Sequence, residues 1–162
     1  ACLKTGRPSD LQRPLVTLRP FSKAYGLAGL RVGYGIMPES LAEVINRVRQ
    51  PFNVNAVAQA AAQAALDDHR FLKASLNLVH RGVESLHAAL ADMGLTCFPT
   101  QANFFLIDVK QPADAVFEAM LHQGVIVRSM RAYGFPTCIR VNVGLASEND
   151  RFLKAIATVL SL

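Results

Sequence analysis

Lys23 stands in "PFSKAYGLAGLRVGYG", residues 20–35, directly after Ser22 and ahead of glycines at positions 26, 29, 33 and 35, with Arg31 among them. A lysine amine becomes a nucleophile when burial or neighbouring positive charge lowers its pKa, and it can then form a Schiff base with an aldehyde. A guanidinium at position 31 can clamp a phosphate with two parallel bonds. The Ser22 hydroxyl and the glycine-loop amides add donors for the same oxyanion. Aldehyde and phosphate in one molecule describe pyridoxal phosphate. The residues by themselves leave a plainer reading open, because a loop lysine is most often simply solvated. Two other phosphate loops are excluded, since the glycine spacing is not G-x-G-x-x-G and no GK[ST] is present.

Other chemistry-bearing residues are more dispersed. Arg128 in "VIVRSM" and Arg140 in "CIRVNVG" lie in strand-like runs, where solvation at a strand edge would explain either of them. His80 and His87 can share one helix face but have no third ligand, so solvated histidines are expected and no metal is assigned. Three cysteines, Cys2, Cys97 and Cys138, are far apart and form no CxxC pair. Neither a zinc ribbon nor a disulfide framework is indicated, and a reducing, cytoplasmic setting is expected.

The elements that must position these residues draw on a chain of 162 residues, 51% of them hydrophobic, enough for a real core. No apolar run approaches the roughly 20 residues of a membrane span. Ala1 to Arg13 is polar and basic, without the apolar stretch of a secretory signal. The net charge of +5 admits an acidic partner, but the basic residues are scattered and no Lys/Arg run carries interleaved aromatics. Neither nucleic acid nor membrane is therefore expected as a partner.

Residues 15–19 ("LVTLR") and 31–37 ("RVGYGIM") read as strands on either side of the lysine loop. Pro38-Glu39-Ser40 opens a helix to about Arg49, with Leu41, Val44, Ile45 and Val48 on one face, and "QPFNVN" breaks it. Alanine-rich Asn55 to Asp68 and then Arg70 to about Met93 predict two more helices, the second stopped by Gly94. The pattern then becomes strand, helix, strand, strand, helix. It comprises a buried strand over Asn103 to Val109, a helix over Pro112 to Gln123, strands in "VIVRSM" and "CIRVNVG", and a last helix capped by Ser147 with early acids. Two domains are expected, residues 1–68 as a piece of a larger α/β sheet and 69–162 as a small α/β domain.

"TLRPFSKAYGLAGLRVGYG" closely resembles the cofactor-lysine segment of histidinol-phosphate aminotransferases, within the class I/II, fold-type I group of pyridoxal-phosphate enzymes. The resemblance continues through "NRVRQPFNVNAVAQAAAQAALDD", "TQANFFLIDV", "GVIVRSMRAYGFPTCIRVNVG" and "ENDRFLKAI", covering nearly everything from about Val16 onward. It implies an α/β fold, the C-terminal part of a fold-type I aminotransferase. It also implies transfer of an amine between histidinol phosphate and 2-oxoglutarate, in a cytoplasmic homodimer with pyridoxal 5'-phosphate as cofactor. By the same resemblance Lys23 carries the cofactor and serves as base for the 1,3-proton shift, while Ser22 and Arg31 bind its phosphate. Arg140 would pair with the substrate carboxylate or phosphate, and Arg128 would be a second anion ligand nearby. Asn103 and Asn53 are further candidates to line the site, with turn formation as their alternative. Tyr25 and Tyr133 stand behind them.

Two departures shape the expectations. The family places a hydroxyl residue three positions before the lysine, where this chain has Pro20. The family also carries a preceding segment that supplies an aspartate to the pyridine nitrogen and aromatics around the ring, and Ala1 to Arg13 matches none of it. A shortened, non-catalytic relative that binds anions or a partner chain is therefore the alternative. A pyridoxal-phosphate-dependent amino-acid-phosphate decarboxylase, which shares much of the pattern, is a further one.

Overall fold

The computed structural model describes residues 15–161. Cys2 and the segment Ala1 to Arg13 lie outside them. The chain forms two compact units, divided between Ser75 and Leu76.

In the first unit, β1 (Thr17–Pro20) pairs antiparallel with β2 (Gly33–Ile36), from Thr17 opposite Ile36 to Pro20 opposite Gly33. The Phe21 amide extends the ladder by donating to the Val32 carbonyl at 3.1 Å. Hydrogen-bonded and non-bonded pairs alternate along an antiparallel ladder, so Pro20 falls on a non-bonded pair and its missing N–H costs the ladder nothing. Gly33 is required by the close approach, because a Cβ there would lie 3.0 Å from the Arg19 carbonyl oxygen.

Helix α1 spans Glu39–Val48 and α2 spans Ala56–Asp67. The Asn55 side chain caps α2 by accepting from the Ala58 amide at 2.8 Å. Alanine lets α2 come close enough for Ala58 and Ala62 to share a small core with Phe21 and Val32. Helix α1 forms where its periodicity predicts, but it buries no residue: Val44, Ile45 and Val48 are exposed, Val48 to 77%.

Helix α3 (His69–Asp92) crosses the division and ends before Gly94, whose φ of +75° supplies the left-handed stop. The second unit is a four-stranded antiparallel sheet in the order β3-β4-β6-β5, formed by β3 (Thr96–Cys97), β4 (Phe104–Asp108), β5 (Arg128–Ser129) and β6 (Cys138–Asn142). Its helices are α4 (Ala113–His122) and α5 (Ala146–Leu160). Phe105, Ile107, Ile139 and Val141 point to one face and form the core with Leu86 and Leu90 of α3, Val116 and Met120 of α4, and Phe152 and Ile156 of α5.

Four expectations are corrected here. The Asn103 to Val109 run is not buried throughout: Phe105 and Ile107 face the core, while Phe104 is exposed on the other face. Only Arg128 and Ser129 of "VIVRSM" pair as a strand, with Val127 buried in the core instead. The last helix is not capped by Ser147. It begins at Ala146, and the Glu148 carboxylate reaches back to accept from the Leu145 amide at 2.6 Å, which satisfies an otherwise orphaned donor. His87 is not simply solvated, because its ring meets Phe105 edge-on at 4.5 Å and its Nε2 is buried without a partner among the described residues. The two-residue β3 was not anticipated, being too short to show a period.

Candidate functional site

In the first unit, the loop after β1 hangs from Phe21, which is 3% exposed and flanked by the rings of Tyr25 and Tyr34 at 4.8 and 5.6 Å. The Phe21 carbonyl accepts from the Leu27 amide at 3.0 Å and the Lys23 carbonyl from the Gly26 amide at 2.9 Å, folding the loop back on itself. Gly26, at φ +70°, makes that turn, and a Cβ there would press on Phe71 at 3.2 Å. Ser22 is thereby half-buried and Lys23 exposed. Tyr25 serves the local core rather than an open site.

Arg31 adopts left-handed backbone at φ 53° and ψ 47°, an uncommon conformation for a residue with a side chain. Its one side-chain hydrogen bond among the described residues runs to the Ala28 carbonyl at 2.9 Å. A cavity of about 540 Å³ is walled by Pro20, Ser22, Arg31 and Gly33 together with β1 and β2 residues. Ser22 and Arg31 thus share one cavity, and Lys23 is not among its walls. The donor set fits a phosphate: a cation with no ion-pair partner among the described residues, a hydroxyl, and glycine backbone. Pro20 brings neither a hydroxyl nor an N–H to that cavity.

In the second unit, Arg128 of β5 and Arg140 of β6 are register partners, directly opposite one another. They lie on the face turned away from the helical core, as their strand neighbours Ile139 and Val141 are buried on the other. The Arg140 guanidinium sits 4.9 Å from the centroid of Phe104, and its Nε is buried without a partner among the described residues. Arg128 lies 5.4 Å from the Tyr133 ring centroid and its Nη2 donates to the Tyr133 hydroxyl at 2.8 Å. Both arginines border a cavity of about 810 Å³ that Asn142 also lines and that, on the helical side, takes in Val127, Val141 and Phe152 with Glu148 and Arg151 of α5. Like charges set opposite on a sheet repel unless an anion lies between them.

Asn103 is not brought to that cavity. Its backbone carbonyl accepts from the Val143 amide at 3.0 Å, while the neighbouring turn is tied by Thr100, whose hydroxyl donates to the Phe104 carbonyl at 2.8 Å. Asn53 lies in the first unit, where its Oδ1 accepts from Arg49 at 3.5 Å. Phe104 was missed as a platform under Arg140. Its place at an even step from Leu106 and Asp108, out of phase with buried Phe105 and Ile107, was the available signal. Among the described residues, burial pushes the Cys97 thiol up to about 11 and burial with nearby Asp108 raises that of Cys138, so neither is poised as a nucleophile. No group of three or more potential metal ligands occurs among the described residues.

Comparison with known proteins decides the ancestry. The aminotransferase class I and II family matches residues 5–156. The chain belongs to that family. As an aminotransferase class I and II chain, it is 50% identical over 147 residues to histidinol-phosphate aminotransferase 2 of Pseudomonas aeruginosa, covering 91% of this chain and 40% of that protein. The chain therefore spans well under half the length of the curated relative. A crystal structure of histidinol-phosphate aminotransferase from Sinorhizobium meliloti in complex with pyridoxal-5'-phosphate superposes with a TM-score of 0.81 at 28% identity, over 90% of this chain and 41% of that one. L-threonine-O-3-phosphate decarboxylase from Porphyromonas gingivalis superposes with a TM-score of 0.77 at 27% identity, over 98% of this chain and 51% of that one. The expected mixed α/β, fold-type I architecture is borne out. No helix among the described residues is long and apolar enough to cross a membrane.

Proposed function

We propose that this chain serves a pyridoxal-phosphate-dependent amino transfer of the histidinol-phosphate type, between histidinol phosphate and 2-oxoglutarate. The observation that carries it is the cross-strand pair of Arg128 and Arg140, which are register partners and both border one cavity. Such a pair suits a phosphate or carboxylate on the substrate. Ser22 and Arg31 bind the cofactor phosphate, and Pro20 leaves them one hydroxyl short of the family pattern. The cofactor, when bound, supplies an aldehyde for the substrate amine and a ring that stabilises negative charge at the substrate α-carbon. Lys23 holds the cofactor and moves the proton at that carbon. Arg140 and Arg128 orient the substrate through its anion. The reading includes a homodimer in the cytoplasm, which the apolar residues exposed on the first unit support, Phe52 to 98% and Val57 to 71%.

The test mixes the purified chain with pyridoxal phosphate, fixes adducts with borohydride and maps them by mass spectrometry, with Lys23→Ala as control. A single adduct on Lys23, absent from the variant, supports the reading. Labelling spread over many lysines and unchanged in the variant would favour a chain that binds anions without catalysis. A second reading, decarboxylation of an amino-acid phosphate, draws on the likeness to the Porphyromonas gingivalis enzyme. It uses the same arginine pair and is separated by release of carbon dioxide from O-phosphothreonine.

A further inference from the structure

The arginine pair raises a problem that the strands do not solve. Two guanidinium groups opposite one another on a sheet repel, and two long side chains would relieve that repulsion by swinging apart. Each has its own seat against a ring, Arg140 on Phe104 of β4 and Arg128 on Tyr133. The two seats differ in kind. Phe104 offers only its face, whereas Tyr133 also presents a hydroxyl that accepts from Arg128 Nη2 at 2.8 Å. One donor of Arg128 is thereby committed to the protein and the others remain for a ligand.

Tyr133 is itself held in place. It closes a short 3-10 turn, Arg131–Tyr133, and donates its amide to the Met130 carbonyl at 2.9 Å before Gly134 ends the turn at φ +86°. The turn is tied to α4 through Asp114, which accepts from the Ser129 hydroxyl at 2.6 Å and pairs with Arg131. The Ser129 oxygen in turn accepts from the Arg131 amide at 3.3 Å. Position 133 is therefore determined from outside the cavity.

We propose that Tyr133 is a positioning residue, which sets the anion affinity of the pair by holding the Arg128 fork at its station opposite Arg140. This rests on the reading of Arg128 and Arg140 as an anion site. Its ligand is the shared chemistry of phosphate esters, a tetrahedral dianion that takes donors from both forks.

The test titrates the full chain with inorganic phosphate, followed by calorimetry and by the side-chain 15N resonances of arginine. Tyr133→Phe keeps the ring and removes only the hydroxyl. It is expected to weaken phosphate binding about 3- to 10-fold and to sharpen or shift the Arg128 Nη signals as the group rotates more freely. In an Arg128→Ala background, Tyr133→Phe is expected to change nothing further, which a general structural role would not produce. Circular dichroism melts superposing on wild type show that both variants fold. Wild-type affinity in Tyr133→Phe, with weak binding in Arg128→Ala, would overturn the positioning role and leave the anion site standing. Phosphate binding unaffected by Arg128→Ala would overturn both.

Discussion

Arg128 and Arg140 face one another across adjacent antiparallel strands, each seated on an aromatic ring, with the Arg140 Nε buried and unpartnered among the described residues. Among those residues the one ion pair is Arg131–Asp114, and the Glu148 carboxylate that borders the same cavity accepts from the Leu145 amide. If an anion binds between them, the arrangement is expected to cost stability without the ligand and to recover it on binding. Arg140→Met keeps the contact with Phe104 and removes one charge. Its melting temperature is expected to equal or exceed that of wild type at low salt, while phosphate binding falls by more than about tenfold. Phosphate is expected to raise the wild-type melting temperature and to leave that of the variant unchanged. A variant stabilised by phosphate as much as wild type would refute this account.

Asp114 gives the second unit an acid limb. The Ser129 hydrogen bond and, after it, Arg131 hold its carboxyl below the usual carboxylate range against some desolvation. A depressed folded-state pKa means that the contribution is present above the unfolded value, about 4, and is lost as pH falls through the folded value. Wild type and Asp114→Asn are therefore expected to differ in melting temperature near pH 6 and to converge toward pH 2. Because Asp114 is exposed, the difference is expected to be small and to shrink with salt. A difference that persists at pH 2 would assign the effect to something other than the carboxylate.

Gly82 is buried on α3 where the segment after β6 crosses it, and a Cβ there would collide with Val143. Helix propensity favours alanine over glycine by about 1 kcal/mol, but overpacking a core costs about 1–3 kcal/mol. Overpacking wins because Val143 is β-branched and stiff. Gly82→Ala is expected to lower the urea midpoint, and adding Val143→Ala to restore most of it. An unchanged or raised midpoint for Gly82→Ala would mean that Val143 yields without cost.

Pro20 can be exchanged without harming its ladder, since it occupies a non-bonded pair. Pro20→Thr adds a hydroxyl to the cavity shared by Ser22 and Arg31. A charge-assisted bond from it would be worth about 1.5–3 kcal/mol, so pyridoxal-phosphate binding, read by absorbance titration, is expected to tighten at least about tenfold. Equal affinity for the two proteins would place the phosphate elsewhere.

Much of this was legible in the residues. Helices α1, α2, α3 and α4 follow from apolar spacing, the alanine run and the Gly94 stop, all local properties of the chain. Chain-local rules misplaced the cap of α5, because the Glu148 carboxylate reaching back to Leu145 depends on how the chain leaves β6. They also overextended β5, since a run such as "VIVRSM" becomes strand only where a partner is in reach, and that partner is β6 at Arg128 and Ser129.

The lysine loop, with Ser22, Lys23, Arg31 and its glycines, was legible as a candidate site from sequence alone, because residue type and spacing along one short segment are what mark it out. Family membership was likewise written in the order of residues. Only the tertiary structure decided that Arg128 stands opposite Arg140, that Tyr133 and Phe104 lie against them, and that Asn103 gives its backbone carbonyl to the Val143 amide. Strand register and the side of the sheet a residue faces are set by pairing between segments far apart in the chain. A one-residue slip would turn Arg140 into the core and Ile139 out of it, so no local reading could supply that choice.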